Sequence, residues 1–304
     1  MSITFVTCVY NSDYISGEPC ADPAHGNMRW QRFYKSLANI SKTLVPIVIY
    51  TNPGNKDYLY NFCISNFAHK DFTIIELDLQ NLDYFERTEK LKEHNLQINK
   101  KTDRYAQLVL SKMYMIEHAL DNNFYNTQKY FWIDAGLSFQ SLFPDRWRDG
   151  VVGEYFKYTC FNPSLITKLD NFTKEKLFVI VYNTGYGMYL LNEGLYEPAD
   201  RIKEANKHYT VGGLWGGNKE QLYKMMVIYK LMLFKVLDVW EKEKTTTHRR
   251  LFFEEPIFSA IVCNNPENFY IEQFDTWYQE NDSSQIKNIL PGMRNFYKII
   301  TGET

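Results

Sequence analysis

Hydrophobic and polar positions follow two alternating periods through the first half of the chain. The apolar runs Ile3 to Tyr10 and Val45 to Thr51 read as short buried strands, and between them Trp30, Phe33, Tyr34, Leu37 and Ile40 recur at helical spacing. A helix over Tyr58 to Phe67 follows, then a strand over Phe72 to Leu77 and a polar connection through Lys100-Lys101. A helix over Arg104 to Leu120 then leads into a strand that stops at Asp134. This strand–helix alternation predicts an α/β fold with a mixed, mostly parallel sheet flanked by helices, in one large domain.

Beyond Asp134 the pattern becomes mixed. Apolar segments run over Leu177 to Tyr182 and Tyr186 to Leu191, a glycine-rich run spans Gly212 to Gly217, and a long helix is predicted from Lys219 to Trp240. The polar stretch Glu241 to Arg250 reads as a surface loop, and a helix over Glu254 to Val262 follows it. No internal repeat or low-complexity linker divides the chain.

Composition narrows the function classes. With 304 residues, 45% of them hydrophobic and 16% aromatic, the chain can bury a large core. A net charge of -2 gives no overall attraction to nucleic acid or anionic lipid, so a polyanion needs a local cationic cluster. The five cysteines lack paired spacing, which fits a reducing compartment. Met1-Ser2 leads directly into a strand pattern without a basic segment, which argues against secretion. The longest apolar candidate, Met225 to Trp240, carries Lys230, Lys235 and Asp238 and is a poor membrane span. A cytoplasmic protein is expected, with peripheral contact at the inner face of the membrane left open.

Asp134 ends the run Phe131-Trp132-Ile133, followed by Ala135 and Gly136. A carboxylate at the carboxyl end of a buried strand opens into the crevice where α/β proteins bind ligands. It either caps a turn or ligates Mg²⁺ or Mn²⁺ on a substrate diphosphate. Asn183-Thr184-Gly185 breaks an apolar run, as a hairpin turn or as a ligand-contacting turn. A dinucleotide fingerprint there fails at Leu190. Gly213, Trp215 and Gly216 suit either close backbone approach to a sugar stacked on Trp215 or tight internal packing. Asn218 rules out a phosphate loop. Glu254 and Glu255 open a helix, as ordinary helix-start acids or as groups that accept a proton from a substrate hydroxyl. Lys112, Arg249 and Arg250 are either solvated or positioned to neutralise a diphosphate. Neither Gly-x-Ser-x-Gly nor His-Glu-x-x-His occurs.

Phe5-Val6-Thr7, Ser111-Lys112, Trp132 to Gly136, Gly213 to Gly217 and Glu254 to Phe258 together resemble the bacterial HtrL/YibB group. That group is regarded as GT-A-like glycosyltransferases and is associated with surface-polysaccharide gene clusters. The resemblance spans about residues 1 to 275 and implies a GT-A-like (Rossmann-like) domain there. Its nucleotide-binding half would be 1–136 and its acceptor-binding half 137–275, with 276–304 as a C-terminal extension. The order of motifs is similar to GT-A enzymes generally, except that Gly136 stands where the second Asp of Asp-x-Asp would be.

The resemblance implies transfer of a sugar from a nucleotide-diphosphate sugar to a glycan or lipid-linked glycan acceptor in capsule, O-antigen or lipooligosaccharide synthesis. Thr7, Cys8, Val9 and Tyr10 would line the nucleoside pocket and Asp134 would hold Mn²⁺ or Mg²⁺. Lys112, Arg249 and Arg250 would offset leaving-group charge, and Glu255, with Glu254 as alternative, would activate the acceptor. Two rivals stand beside it. One is a non-catalytic carbohydrate-binding protein, suggested by 23 Tyr and 6 Trp. The other is a phosphotransferase or phosphatase using Asp134, for which Asp134-Ala135-Gly136-Leu137-Ser138 lacks the second acid.

Overall fold

A computed structural model of the chain describes residues 3–16, 33–94, 104–136, 163–172, 175–182, 210–243 and 254–274. Seven strands form one sheet: β1 (Ile3–Cys8), β2 (Ile47–Thr51), β3 (Phe72–Glu76), β4 (Lys129–Ile133), β5 (Leu177–Tyr182), β6 (Thr210–Asn218) and β7 (Phe269–Phe274). Their spatial order is β3-β2-β1-β4-β6-β5-β7. All neighbours are parallel except β4–β6 and β6–β5. This is the expected mixed, mostly parallel sheet. Its switch point lies between β1 and β4, where successive connections leave to opposite sides, the place at which open α/β sheets bind ligands.

Both faces of the sheet are covered, which is why its parallel strands read as continuous apolar runs. One face carries Phe5, Ile47, Ile49, Phe131 and Ile133 under the helix at 33–41 (α2, after the short α1 at Ser12–Ser16) and under α3 (Lys56–Asn66). The other carries Val6, Val48, Tyr50, Trp132 and Trp215 under the helices of the second half and those preceding β4.

The expected helix over Arg104 to Leu120 is two. The chain continues with α4 (Phe85–His94), α5 (Tyr105–Leu110) and α6 (Lys112–Asn122), the last two separated at Ser111. The Ser111 hydroxyl donates to the Leu108 carbonyl over 2.6 Å, a local bond that competes with a continuous helix. The break makes Lys112 the first residue of α6. Helix α4 lies within the polar connection. Pattern reading also did not anticipate α7 (Pro163–Phe172) or β7.

The glycine-rich run is part of strand β6. Its glycines serve the sheet. A Cβ on Gly216 would lie 2.6 Å from the Phe131 Cα, and one on Gly217 would lie 2.7 Å from the Leu177 Cδ2. The long helix α8 (Lys219–Glu243) takes in Glu241 to Glu243, three residues assigned from the sequence to a loop, and α9 is Glu254–Asn264. Arg87 of α4 explains the added turn of α8, because it donates to both Asp238 and Glu241 over 2.7 Å. Tyr186 to Leu191 and the segment 276–304 lie outside the described residues.

Candidate active site

Three segments far apart in sequence meet at the carboxyl end of β4. The parallel register of β1 and β4 pairs Val6 with Trp132, which brings Cys8 level with Asp134 on the two sides of the switch point. The ladder to β6 continues one step past β4, where the Asp134 N–H donates to the Gly213 carbonyl over 2.9 Å. Asp134 is therefore held by its backbone at the rim while its side chain stays 29% exposed. The Trp132 indole N–H donates to Asp134 Oδ1 over 2.7 Å, fixing the carboxylate from within its own strand.

Lys112 reaches this rim from the start of α6. Its Nζ lies 3.1 Å from Asp134 Oδ1, 2.5 Å from Glu254 Oε1 and 3.1 Å from the Gly212 carbonyl oxygen. The ammonium donates to the Gly212 carbonyl and is ion-paired with both carboxylates. The Trp132 ring stands 5.5 Å from Nζ and adds a cation–π contact. Lys112 was expected to be solvated or to neutralise a diphosphate. It is instead buried and paired with carboxylates inside the protein.

Helix α9 delivers both glutamates through its first turn, where acidic side chains complement the helix dipole. Glu254 is buried against Lys112, whereas Glu255 is half-buried and its Oε1 accepts the Gly212 N–H over 3.0 Å. Gly212 thus offers its carbonyl to Lys112 and its N–H to Glu255. A Cβ there would run into the Glu254 carboxylate.

The charges are unbalanced. Three carboxylates surround one ammonium. Burial pushes Glu254 up to about 7 against the opposing pull of Lys112, with Glu255 adding to the rise. Burial likewise raises Glu255, and the Gly212 N–H works the other way. For Lys112, burial favours the neutral form, but Asp134 and Glu254 outweigh it and hold the ammonium well above its usual range. Burial, followed by the Asp134 charge, pushes the Cys8 thiol up, so Cys8 is no thiolate nucleophile.

The other expected site residues divide into three groups. Thr7, Cys8, Val9 and Tyr10 lie at the rim beside Asp134, but Thr7, Val9 and Tyr10 are buried, and the Tyr10 hydroxyl is spent on the Leu77 carbonyl over 2.7 Å. Of these four side chains, Cys8 alone is partly accessible. Trp215 and Gly216 follow the packing alternative. Trp215 is 1% exposed, stacked on Trp132 at 6.4 Å and against Phe258 at 5.3 Å, so a sugar has no face to stack on. Gly213 contributes its carbonyl to Asp134. Asn183, Thr184, Gly185, Arg249 and Arg250 lie outside the described residues.

Sequence reading missed Trp132 and Gly212 as site residues. It also missed a polar cluster at the neighbouring carboxyl ends of β1 to β3. There Tyr14 donates to Asp78 Oδ1 over 2.6 Å, Arg104 stacks 4.6 Å above the Tyr14 ring, and the Asn11 N–H donates to Asn52 Oδ1 over 2.7 Å. No local pattern marks these contacts. A cavity of about 520 Å³ bounded by Leu177, Met225, Ile261 and Phe269 lies at the opposite end of the strands, since Leu177 and Phe269 begin β5 and β7.

A divalent ion was expected at Asp134. Among the described residues no three His, Cys, Asp or Glu side chains gather as ligands. Both bonds to the Asp134 carboxylate fall on Oδ1, which leaves Oδ2 and the excess negative charge. That donor set fits an ion carried in by a diphosphate, which needs only one or two protein carboxylates, and not a resident ion.

No protein-family profile matches the chain, and no curated protein does. Solved structures of similar overall shape exist at very low identity. Mouse xyloside xylosyltransferase 1 in its apo form is 9% identical, with 98% of this chain and 92% of that chain covered and a TM-score of 0.44. Core-mannan synthase A from Aspergillus fumigatus in its Mn/GDP form is 8% identical, covering 100% and 86% at a TM-score of 0.46. The inositol-1-phosphate CTP transferase from T. maritima is 10% identical, covering 100% and 98% at a TM-score of 0.38.

Proposed function

We propose that this chain is a glycosyltransferase that moves a sugar from a nucleoside-diphosphate donor to a hydroxyl of a glycan or lipid-linked glycan. The HtrL/YibB resemblance adds surface-polysaccharide synthesis as its setting. One observation carries the reading: Asp134 and the Glu254-Glu255 helix start converge, through Lys112 and Gly212, at the switch point of a mixed α/β sheet.

Each residue then has a part. The nucleoside lies along the carboxyl ends of β1 to β3, where Cys8 and the Tyr14, Asp78, Arg104 and Asn52 cluster offer aromatic, donor and acceptor groups. Asp134 Oδ2 faces the diphosphate. A Mg²⁺ or Mn²⁺ ion bound there would supply Lewis-acid stabilisation of the leaving group. Arg249 and Arg250 are assigned the remaining leaving-group charge.

Glu255 is the base if the anomeric centre inverts. It takes the acceptor hydroxyl proton as the new glycosidic bond forms, the sugar–phosphate bond breaks and the nucleoside diphosphate departs. Glu255 is half-buried and accepts the Gly212 N–H, whereas Glu254 is buried on Lys112. If configuration is retained, Glu255 instead orients the sugar.

The rivals are weaker. A carbohydrate-binding protein loses its best platform with Trp215 in the core. A phosphotransferase would need a second acid two residues after Asp134, and Gly136 stands there.

The test is a thermal-shift panel of UDP, GDP, CDP, dTDP and CMP, each with and without Mn²⁺. One diphosphate should raise the melting temperature of wild type and not of Asp134→Ala. No shift with any of them would remove the donor reading. In the enzyme assay built on the positive nucleotide, Glu255→Gln should keep donor binding and lower turnover by about 10²-fold. Unchanged turnover would take the base role away from Glu255.

A further inference from the structure

Lys112 stands where a metal ion would be expected. Two carboxylate oxygens from different segments, Asp134 Oδ1 and Glu254 Oε1, and one backbone carbonyl, Gly212 O, point at a single position. Hard oxygen donors of this kind, two of them anionic, are what divalent cations select. The position is filled by the chain's own ammonium, which is ion-paired with both carboxylates and donates to the carbonyl. Trp132 covers another side, and the Lys112 side chain is 9% exposed.

We infer that Lys112 is a built-in cation that bars a free divalent ion from the Asp134–Glu254 position, so that a metal enters this site only with the diphosphate of a donor. The first half of the statement concerns the protein alone, and the second rests on the transferase reading above. The ammonium balances part of the carboxylate charge before any ligand arrives, and it fixes Asp134 by one oxygen. The other oxygen is then the one a diphosphate-borne ion meets. Lys112 is thus a positioning residue acting through Asp134 and Glu254, and it is no phosphate ligand.

Removing the ammonium while keeping the alkyl bulk should convert the position into a metal site. Mn²⁺ titrations without nucleotide, read by electron paramagnetic resonance and by melting temperature, compare wild type, Lys112→Met and Lys112→Met/Glu254→Gln. Lys112→Met should be destabilised without metal, because Glu254 is left buried without its partner. It should bind Mn²⁺ roughly tenfold or more tighter than wild type, with a rise in melting temperature that wild type does not show. The double variant, one carboxylate short, should fall back towards wild type. Wild type that binds Mn²⁺ as tightly as Lys112→Met overturns the inference, as does a folded Lys112→Met that gains no affinity. A Lys112→Met chain that millimolar Mn²⁺ does not restore to the folded state overturns it too, since the ion then fails to replace the ammonium. A negative nucleotide panel on wild type would remove the donor reading and leave this nucleotide-free comparison standing.

Discussion

The indole N–H of Trp132 donates to Oδ1 of Asp134, two residues further along the chain, over 2.7 Å. The fully buried tryptophan thereby fixes a partly exposed carboxylate at the carboxyl end of β4. Asp134→Asn keeps an acceptor for both Trp132 and Lys112 and removes only the charge. Its thermal stability in buffer should fall by no more than about 1 kcal/mol. Stabilisation by a nucleoside diphosphate with Mn²⁺ should be lost. Calorimetry with and without ligand checks both halves, and a variant that still responds to diphosphate would take Asp134 out of the site.

Trp215 is a packing residue. It lies between Trp132 and Phe258 with 1% of its surface exposed. Trp215→Ala should cost about 3–5 kcal/mol through lost burial and the cavity left behind. Denaturant titration measures this, and a loss under 1 kcal/mol would show that the indole is not held in the core. Ligand affinity per folded molecule should be unchanged.

Gly212 and Gly216 should fail in different ways. A Cβ at Gly216 would press on the backbone of Phe131, so Gly216→Ala should lower stability by about 1–3 kcal/mol or more. A Cβ at Gly212 would press on the Glu254 carboxylate and lie close to Glu255. Gly212→Ala should therefore impair turnover more than it lowers the melting temperature. Equal effects of the two substitutions on both readouts would contradict the separation of sheet packing from site geometry.

Stability should depend on pH through Glu254. Burial raises its carboxyl from the ordinary value near 4.5 to about 7 in the folded state. The folded protein therefore holds this proton more tightly than the unfolded chain. The stabilisation is present in full below pH 4.5, and is lost as pH rises from there through 7. Burial shifts Glu255 in the same direction. Glu254→Gln removes the titration and should flatten the fall in melting temperature across that window. A fall as steep as that of wild type would place the responsible group elsewhere.

Much of the first half is written locally. Ile3 to Tyr10, Val45 to Thr51 and Phe72 to Leu77 are apolar runs because a parallel sheet is covered on both faces, and each is found as a strand within two residues of its expected ends. Asp134 is legible for the same reason: a charge that ends such a run can only stand at the rim. The two helix-opening glutamates at 254 and 255 are likewise visible, since helix starts have a signature of acids and proline.

The tertiary structure decided the rest. Gly212 to Gly217 has the composition of a loop, and it became a strand because β4 and β5 on either side supply its hydrogen bonds and large side chains. The indole of Trp215 offers aromatic surface in either setting, and only the stack with Trp132 assigns it to the core. Lys112 is the clearest case. As a residue type it reads as solvated or phosphate-binding, yet the three oxygens around it come from Asp134, Gly212 and Glu254, segments that no periodicity links. Local patterns fix which backbone a residue joins. Whether a buried ammonium is paired or free depends on oxygens that only the folded chain brings within about 3 Å of it.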